Sequence, residues 1–518
     1  MAAPTETASG PDFGQGIARD QVPLEGTLAG RVGDEAVLLS RLGGMLYAVS
    51  ATCTHYGAPL ADGLATAGVV RCPWHHACFD LRTGEALRAP AISALDRWRV
   101  EEEGDRVVVR GKIGGADVRG ALPDEVRRVV IVGGGAAGFA CAEMLRRRGY
   151  DGTLTMLSAD ADPPYDRPNL SKDFLAGKAP DEWMPLKGDD FYAEQEIDLR
   201  LEVEVIAIDP QARTVTTKTG DTFAFDRLLL ATGAEPIRPD IAGFDRPEAH
   251  LLRSFADARA IAARAEKGRR AAVLGSGFIG LEAAAALSRR GLEVTVVSHD
   301  HLPMGRPFGD EVGSLLRTLH EENGVAFHLG RTAKSFEGDA LVLDDGTRVD
   351  ADFVLIGLGV RPRIELARAA GLLVDNGVVV DAKLETSHPG IYAAGDIAAY
   401  PDGATGKRLR IEHWVVAERQ GQTVAANMLG SGEAYGAPPF FWTEQHGLAI
   451  HYVGHAESAD IRIEGSVADR EFSACYFEGE ALGAFLTVGR DRDSLEAEAW
   501  LEKVEGIAPP ACLRAGGG

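Results

Sequence analysis

The sequence predicts a multidomain fold: a small all-β module, two Rossmann-like α/β dinucleotide-binding domains, and a small α+β domain at the end. Three observations predict it. Short apolar runs broken by glycine fill the N-terminal part. Two Gly-x-Gly-x-x-Gly fingerprints follow, at Gly133, Gly135 and Gly138 and again at Gly275, Gly277 and Gly280, each after an apolar strand and before an Ala-rich helix. The remainder, from about Gly436, is rich in strand-forming residues, as in Phe472–Phe477 and Gly483–Leu486.

The 518 residues suit about three or four domains. A net charge of −23 argues against nucleic-acid binding, which needs a basic face, and suits a positively charged partner. Six cysteines in so long a chain do not make a disulfide scaffold, so their spacing is read for metals. The apolar run Val129–Leu145 is too short and Gly-rich to span a membrane, and it carries Glu143. Met1–Gly16 reads as a floppy tail and not a signal peptide. The expectation is a cytoplasmic monomer or homodimer without a membrane span.

In the N-terminal module, Ala36–Leu39, Leu46–Val49, Val69–Arg71 and Arg106–Arg110 read as strands. Between them lie Cys53-Thr-His55 and Cys72-Pro-Trp-His75, separated by sixteen residues. Two thiolates and two imidazoles suit a [2Fe–2S] centre with a different pair on each iron, and zinc uses the same ligand types. The longer stretches Cys53–Leu60 and Cys72–Gly84 closely resemble the two cluster loops of Rieske-type ferredoxins. The resemblance implies a Rieske cluster on Cys53, His55, Cys72 and His75. Respiratory Rieske proteins join the two loops by a disulfide where this chain has Ala58 and Trp74, and place a serine where it has Ala77. Fewer hydrogen bonds to the sulfurs imply a low potential. In Rieske ferredoxins the histidine-ligated iron lies toward the surface, so His55 and His75 are expected to be the electron exit. Cys78 reads as a small buried apolar residue and His76 as a solvent-facing one. Lys112–Glu125 reads as a linker, making the module a tethered appendage.

The first fingerprint follows the strand Val129–Val132. Gly133 permits the tight turn, Gly135 lets backbone N–H groups approach a pyrophosphate, and Gly138 lets helix and strand pack closely. Ala137 lies in the same turn, at the positive end of the helix. After the strand Leu154–Leu157, Asp160 has the spacing of a carboxylate that binds adenosine ribose hydroxyls. Leu228–Leu230 returns a strand to the site, ending in Ala231-Thr232-Gly233. The chain then repeats itself. Ala271–Leu274 leads into the second fingerprint, with Ile279 in its turn, and the helix Leu281–Arg289; Phe353–Ile356 returns to Gly357-Leu-Gly359. Two fingerprints imply two dinucleotides.

Pro164-Tyr-Asp-Arg-Pro-Asn-Leu-Ser-Lys172 resembles the P-Y-x-R-P-x-L-S-K signature of oxygenase-coupled ferredoxin reductases and apoptosis-inducing-factor-like flavoproteins. The redox-active cysteine pair of disulfide-reductase relatives is missing from this region. The resemblance implies FAD beside Arg167 and Lys172, with Lys172 paired to Glu282 near the second fingerprint. A helix-start glutamate favoured by the dipole is the alternative for Glu282. Gly390-Ile-Tyr-Ala-Ala-Gly-Asp396 resembles the second FAD motif, whose aspartate contacts the ribityl chain and pyrophosphate region. It lies beyond the second fingerprint, so the NAD(P)H domain is inserted into the FAD domain. His413–Gly421, with Trp414, and Phe440–Gln445, with Trp442, resemble segments near the flavin. Trp442 covers the flavin face or is a core aromatic. Where NADH-binding relatives place a glutamate after the strand Val294–Val297, this chain has Ser298-His299-Asp300-His301. Ser298 and His299 are expected at the adenosine ribose. His299 or Arg306 would meet a 2′-phosphate and Asp300 a diol, so NADH and NADPH both stay open. Cys141, Cys475 and Cys512 read as structural.

The expected boundaries are a tail over 1–18, the Rieske module over 19–113, a linker over 114–125, and the FAD domain over 126–248 and 386–435. The NAD(P)H domain takes 249–385, the C-terminal reductase domain 436–508, and a tail 509–518. Over Pro23–Gly506 the resemblance implies an NAD(P)H-dependent ferredoxin reductase with its electron carrier fused on. Electrons would run from nicotinamide to flavin to cluster, then to an oxygenase, a haem protein such as a cytochrome, or another redox acceptor. An NAD(P)H-sensing interaction protein, and a quinone or oxygen reductase with an accessory cluster, are the other readings.

Overall fold

A computed structural model describes residues 10–115, 125–457 and 460–514. The apolar runs of the N-terminal module pair into a six-stranded antiparallel sheet, in the order Ile17–Ala18, Arg106–Ile113, Arg97–Glu103, Met45–Ser50, Glu35–Leu42 and Thr27–Val32. Four short strands, Leu64–Thr66, Val69–Arg71, Cys78–Asp80 and Ala86–Arg88, form a second sheet, and the Cys72–His75 loop is the hairpin between its middle pair. Both ligand loops close the same way. Cys53 N–H donates to Ala58 O (2.9 Å) and Cys72 N–H to Ala77 O (2.8 Å), which fixes each thiol at the base of a tight turn. The module starts earlier than the sequence suggested. Phe13 is fully buried in its core and Ile17–Ala18 pairs with Arg106 and Val107, so the packed chain includes part of the expected tail. Residues 1–9 and 116–124, the latter most of the expected linker, lie outside the described residues.

The first Rossmann-like sheet is parallel, in the order Ile197–Arg200, Thr153–Leu157, Arg128–Val132, Arg227–Leu230 and Ile391–Ala393. The second is also parallel, in the order Ala249–Leu251, Phe353–Ile356, Arg270–Leu274, Glu293–Ser298 and Ala326–Leu329. Their central strands, such as Arg128–Val132, Arg227–Leu230, Arg270–Leu274 and Phe353–Ile356, are apolar over most of their length because both faces are covered. Ile391–Ala393 completes the first sheet from beyond the second, so the second domain is an insertion. Helix α1 (Ala136–Arg147) follows the first fingerprint and α2 (Phe278–Arg289) the second; α2 begins three residues before the expected Leu281, inside the glycine turn. Helix α3 (Trp414–Met428) packs across α1. The C-terminal domain is a five-stranded antiparallel sheet, Phe440–Gln445, Leu448–Gly454, Ala481–Val488, Glu471–Glu478 and Asp460–Ser466, followed by α4 (Asp491–Leu501).

The expected C-terminal tail is partly ordered. Ala511–Arg514 is a short helix, and Cys512 forms a disulfide with Cys475, a cross-link the cysteine spacing did not suggest. Cys141 is buried and unpaired. Among the described residues no helix is long and apolar enough to cross a membrane.

Candidate functional site

Gly133 has φ +115°, and a Cβ there would lie 2.2 Å from Ala231 O; a Cβ on Gly138 would lie 2.0 Å from Gly133 O. These two glycines are required by the turn and its packing. Gly135 differs. A Cβ there would meet only the Arg167 guanidinium, at 3.7 Å, and at Gly277 it would meet nothing within 4 Å. Both middle glycines keep the backbone open toward one cavity of about 370 Å³. Arg167 lines that cavity, and its buried Nε has no partner among the described residues. An open glycine turn at a helix N-terminus with an unsatisfied arginine beside it fits a dinucleotide pyrophosphate.

The same cavity gathers residues from both fingerprints. Ala137, Lys172, Ala231, Gly233, Asp396, Trp414 and Trp442 line it, together with Ile279, Glu282 and Gly359. Gly133, Gly138, Gly275 and Gly280 sit behind the wall as packing residues. Thr232 turns away, its hydroxyl donating to Arg363 O (3.3 Å), and Asp160 lies outside, accepting from Tyr165 Oη (2.9 Å). Asp396 is held by Arg253 at 2.6 Å, a partner the sequence did not suggest. Glu282 is 5 % exposed and is not a solvent-facing helix-start residue. Its Oε2 accepts from Lys172 Nζ (2.8 Å) and Ser171 Oγ (2.5 Å), and its Oε1 from Thr443 Oγ1 (2.7 Å). That network ties the loop of Ser171 and Lys172, the second fingerprint helix and the C-terminal sheet together at the cavity wall.

The four candidate cluster ligands arrive as two pairs. The Cys53 and Cys72 side chains face each other, and His55 Nδ1 lies 3.1 Å from His75 Nδ1. A tetrahedral zinc gathers all four ligands, whereas a two-iron cluster takes two on each iron, so the donor set fits the cluster. Burial lowers the His55 pKa to about 3 and holds that of His75 well below the ordinary histidine value, keeping both in the neutral form that ligates metal.

His75 does not face solvent, and His55 is half-buried. His75 is 8 % exposed, and its ring centroid lies 4.1 Å from that of Trp442, across the junction with the reductase. His55 stacks on Tyr56 at 4.0 Å, and the Tyr56 hydroxyl donates to Asp166, the residue preceding Arg167. The surface exit expected at His55 and His75 is therefore corrected: this edge of the Rieske module is packed against the reductase. His76 is corrected as well. It is fully buried, stacked on Phe440 (3.9 Å), with Nδ1 3.0 Å from Glu498 Oε2.

Glu498 is the centre of a buried ionic network. It also meets Arg419 Nη1 (2.7 Å) and Arg71 Nη1 (3.3 Å), while Glu502 receives Arg71 Nη2 (2.7 Å) and Arg88. Burial pushes the Glu498 carboxyl up, but Arg419, His76 and Arg71 together outweigh it and hold it well below the usual range. Burial lowers His76, which serves as a neutral hydrogen-bond partner, so the arginines carry the charge. The module is docked by these contacts and is not a loosely tethered appendage.

In the inserted domain Ser298 is 2 % exposed, its hydroxyl 2.8 Å from Ser276 Oγ in the glycine turn. It braces that turn and does not open toward a ribose as expected. His299 is exposed, and Arg306 bridges its ring (3.0 Å) and Asp300 Oδ1 (2.9 Å).

Two nucleotide cradles on one cavity, with a two-iron ligand set packed against its wall, define an FAD- and NAD(P)H-dependent oxidoreductase of the ferredoxin-reductase type carrying a Rieske [2Fe–2S] cluster. The chain belongs to the pyridine nucleotide-disulphide oxidoreductase family, which matches residues 127–421, with a Rieske [2Fe-2S] domain over 17–99 and a reductase C-terminal domain over 440–513. It is 31% identical to human apoptosis-inducing factor 3, covering 88% of this chain and 78% of that protein. It is 40% identical to the ferredoxin–NAD(+) reductase component of the Burkholderia cepacia anthranilate 1,2-dioxygenase system, covering 70% and 91%. A chain of the covalent putidaredoxin reductase–putidaredoxin complex matches with a TM-score of 0.70 and 34% identity, over 72% of this chain and 93% of that one.

Proposed function

We propose that electrons pass from NADH through FAD to the cluster inside one fixed assembly, and leave the cluster for an external acceptor. The observation that carries this is the 4.1 Å contact between His75 and Trp442, because Trp442 also walls the nucleotide cavity. Bound FAD accepts a hydride from nicotinamide and releases electrons singly to a one-electron carrier. In this reading Gly135, Ala137 and Arg167 hold the FAD pyrophosphate, Asp396 the ribityl region, and Asp160 the adenosine ribose. The Lys172–Glu282 pair positions the flavin ring, and Gly277, Ile279 and Gly359 receive the nicotinamide.

NADH is favoured over NADPH because Asp300 neutralises Arg306, so a 2′-phosphate would meet a carboxylate where a diol would find an acceptor. The acceptor is a redox protein such as an oxygenase or cytochrome, or a smaller oxidant, and the site of action is the cytoplasm, where NAD(P)H is supplied.

Stopped-flow mixing with NADH tests the route. Cluster bleaching should follow flavin reduction with a first-order rate that does not change on tenfold dilution of the protein. A rate that falls in proportion to protein concentration would place the transfer between molecules and overturn the reading.

A further inference from the structure

The ionic network that docks the Rieske module stands on α4, and α4 is held from behind. Leu495, Glu498, Ala499 and, just past the helix end, Glu502 follow helical spacing along one side. Glu498 and Glu502 take arginines of the module, and Leu495 and Ala499 pack with its Leu64. On the other side Ala497 and Trp500 join one apolar cluster with Phe485 and the Cys475–Cys512 disulfide. Residues 502–510 belong to no helix or strand, yet they are tied down along their length. Glu502 pairs with Arg71 and Arg88, Val504 and Ile507 pack against the cluster of Leu64, Leu495 and Ala499, and Cys512 is bonded to the strand Glu471–Glu478. The segment is a strap along the module junction, and the disulfide fastens it covalently.

We propose that Cys475–Cys512 is a thiol–disulfide exchange site, and that its opening by a dithiol loosens the docking of the Rieske module. The inference rests on the electron route proposed above and adds a control to it. NADH is supplied where thiols are kept reduced, and a disulfide in such a compartment is usually transient. Both cysteines are buried, so a reagent enters only through local opening. Cys475 lies within a five-stranded sheet, whereas Cys512 lies on a four-residue helix beyond the irregular strap, so the Cys512 side yields first. One thiolate of the dithiol attacks Cys512 Sγ, the S–S bond breaks, and Cys475 leaves with the electron pair and takes up a proton. The second thiol then attacks the mixed disulfide and releases Cys512 as a thiol, so one dithiol is oxidised for one disulfide reduced. The loop closed over a sequence separation of 37 is then open, and the strap regains the freedom that the cross-link had removed. Glu502, Val504 and Ile507 lose their anchor, and the docking side of α4 is held less firmly. The oxidised chain keeps the cluster within reach of the flavin, and the reduced chain holds it more loosely.

The probe is dithiothreitol, added anaerobically to the full-length holoenzyme under native conditions, after which thiols are alkylated and mapped by mass spectrometry. Cys475 and Cys512 should be labelled together while cluster and FAD content hold. Amide exchange at the Cys72–His76 loop should then rise about tenfold, and after mixing with NADH the cluster should bleach about tenfold more slowly while flavin reduction keeps its rate. Cys512→Ala should show this state before any dithiol is added and should not respond to it. Free thiols at both positions in the air-oxidised protein overturn the proposal, as does labelling that needs a denaturant. Equal amide exchange in the oxidised and reduced proteins overturns it too. A cluster that NADH fails to reduce even in the oxidised protein sinks the underlying route instead, and the amide-exchange comparison still decides the latch.

Discussion

The docking of the Rieske module turns on Glu498, and Glu498→Ala should undo it. The side chain is 0% exposed, and its partners Arg419 and Arg71 are 3% and 7% exposed. Removing one member of a buried ion pair costs about 3–5 kcal/mol, because the remaining charge is left desolvated. Arg71 keeps Glu502 at 2.7 Å, so the loss falls mainly on Arg419. The expectation is the lower end, roughly 3 kcal/mol, or about a 150-fold shift from docked toward undocked. After mixing with NADH, flavin reduction should keep its rate, while cluster reduction slows and amide exchange at the Rieske loops rises. Replacing the pair by apolar residues, Arg419→Met with Glu498→Leu, should recover much of the docking, since a buried pair is often replaceable by packed apolar groups. The depressed Glu498 carboxyl gives this docking a sign in pH: its contribution is full above the unfolded value and is lost only as pH falls through the lower folded one. Wild-type cluster reduction and wild-type exchange in Glu498→Ala would refute the reasoning.

His55→Ala or His75→Ala should abolish the Rieske electron-resonance signal while FAD stays bound, and an intact signal in either would defeat the ligand assignment. Asp396→Ala strands Arg253 and removes the proposed contact to the flavin, so FAD retention on dilution should weaken by roughly 1–3 kcal/mol, measured by gel filtration. Asp300→Ala should lower the ratio of kcat/KM for NADH over NADPH by about tenfold, near 1.4 kcal/mol; an unmoved ratio would mean the ribose is read elsewhere. Burial lowers His413 to about 4. Its stabilising contribution is therefore complete above the unfolded value near 6.5 and is lost as pH falls toward 4, by roughly 3 kcal/mol. Urea titrations near pH 7 and pH 4.5 should show a smaller loss for His413→Asn.

The fold and the Rieske loops were legible because they rest on local constraints. Glycine spacing reports a turn, and Cys-x-His with Cys-x-x-His reports a ligand loop, whatever lies around them. The orientation of the Rieske module was not legible, since it depends on residues hundreds of positions apart, such as Arg71 and Glu498, neither of which stands out in its own stretch. His76 shows the difficulty most clearly: a histidine in a polar-looking loop reads as exposed until Phe440 and Glu498 are packed against it. Ser298 misled for a related reason. The glutamate of NADH-binding relatives predicts a position that faces a ribose, but a serine is short enough to turn back and bond Ser276. The early start of the Rieske module at Phe13 and the Cys475–Cys512 cross-link were also invisible, because terminal segments carry little periodicity.

The buried network also bears on how this chain can serve an acceptor. A separate ferredoxin has to leave its reductase to deliver an electron, so their interface must part easily and cannot hold a carboxylate wholly desolvated among two arginines and a histidine. Covalent fusion removes the diffusional step and raises the effective concentration of one module at the other. Once the partners no longer need to part, charges buried at the junction cost nothing in turnover and fix the distance between His75 and Trp442. The same fixing hides the histidine edge from a bulky partner. A protein acceptor must then draw electrons through another face of the Rieske module, or the module must undock against the network at Glu498.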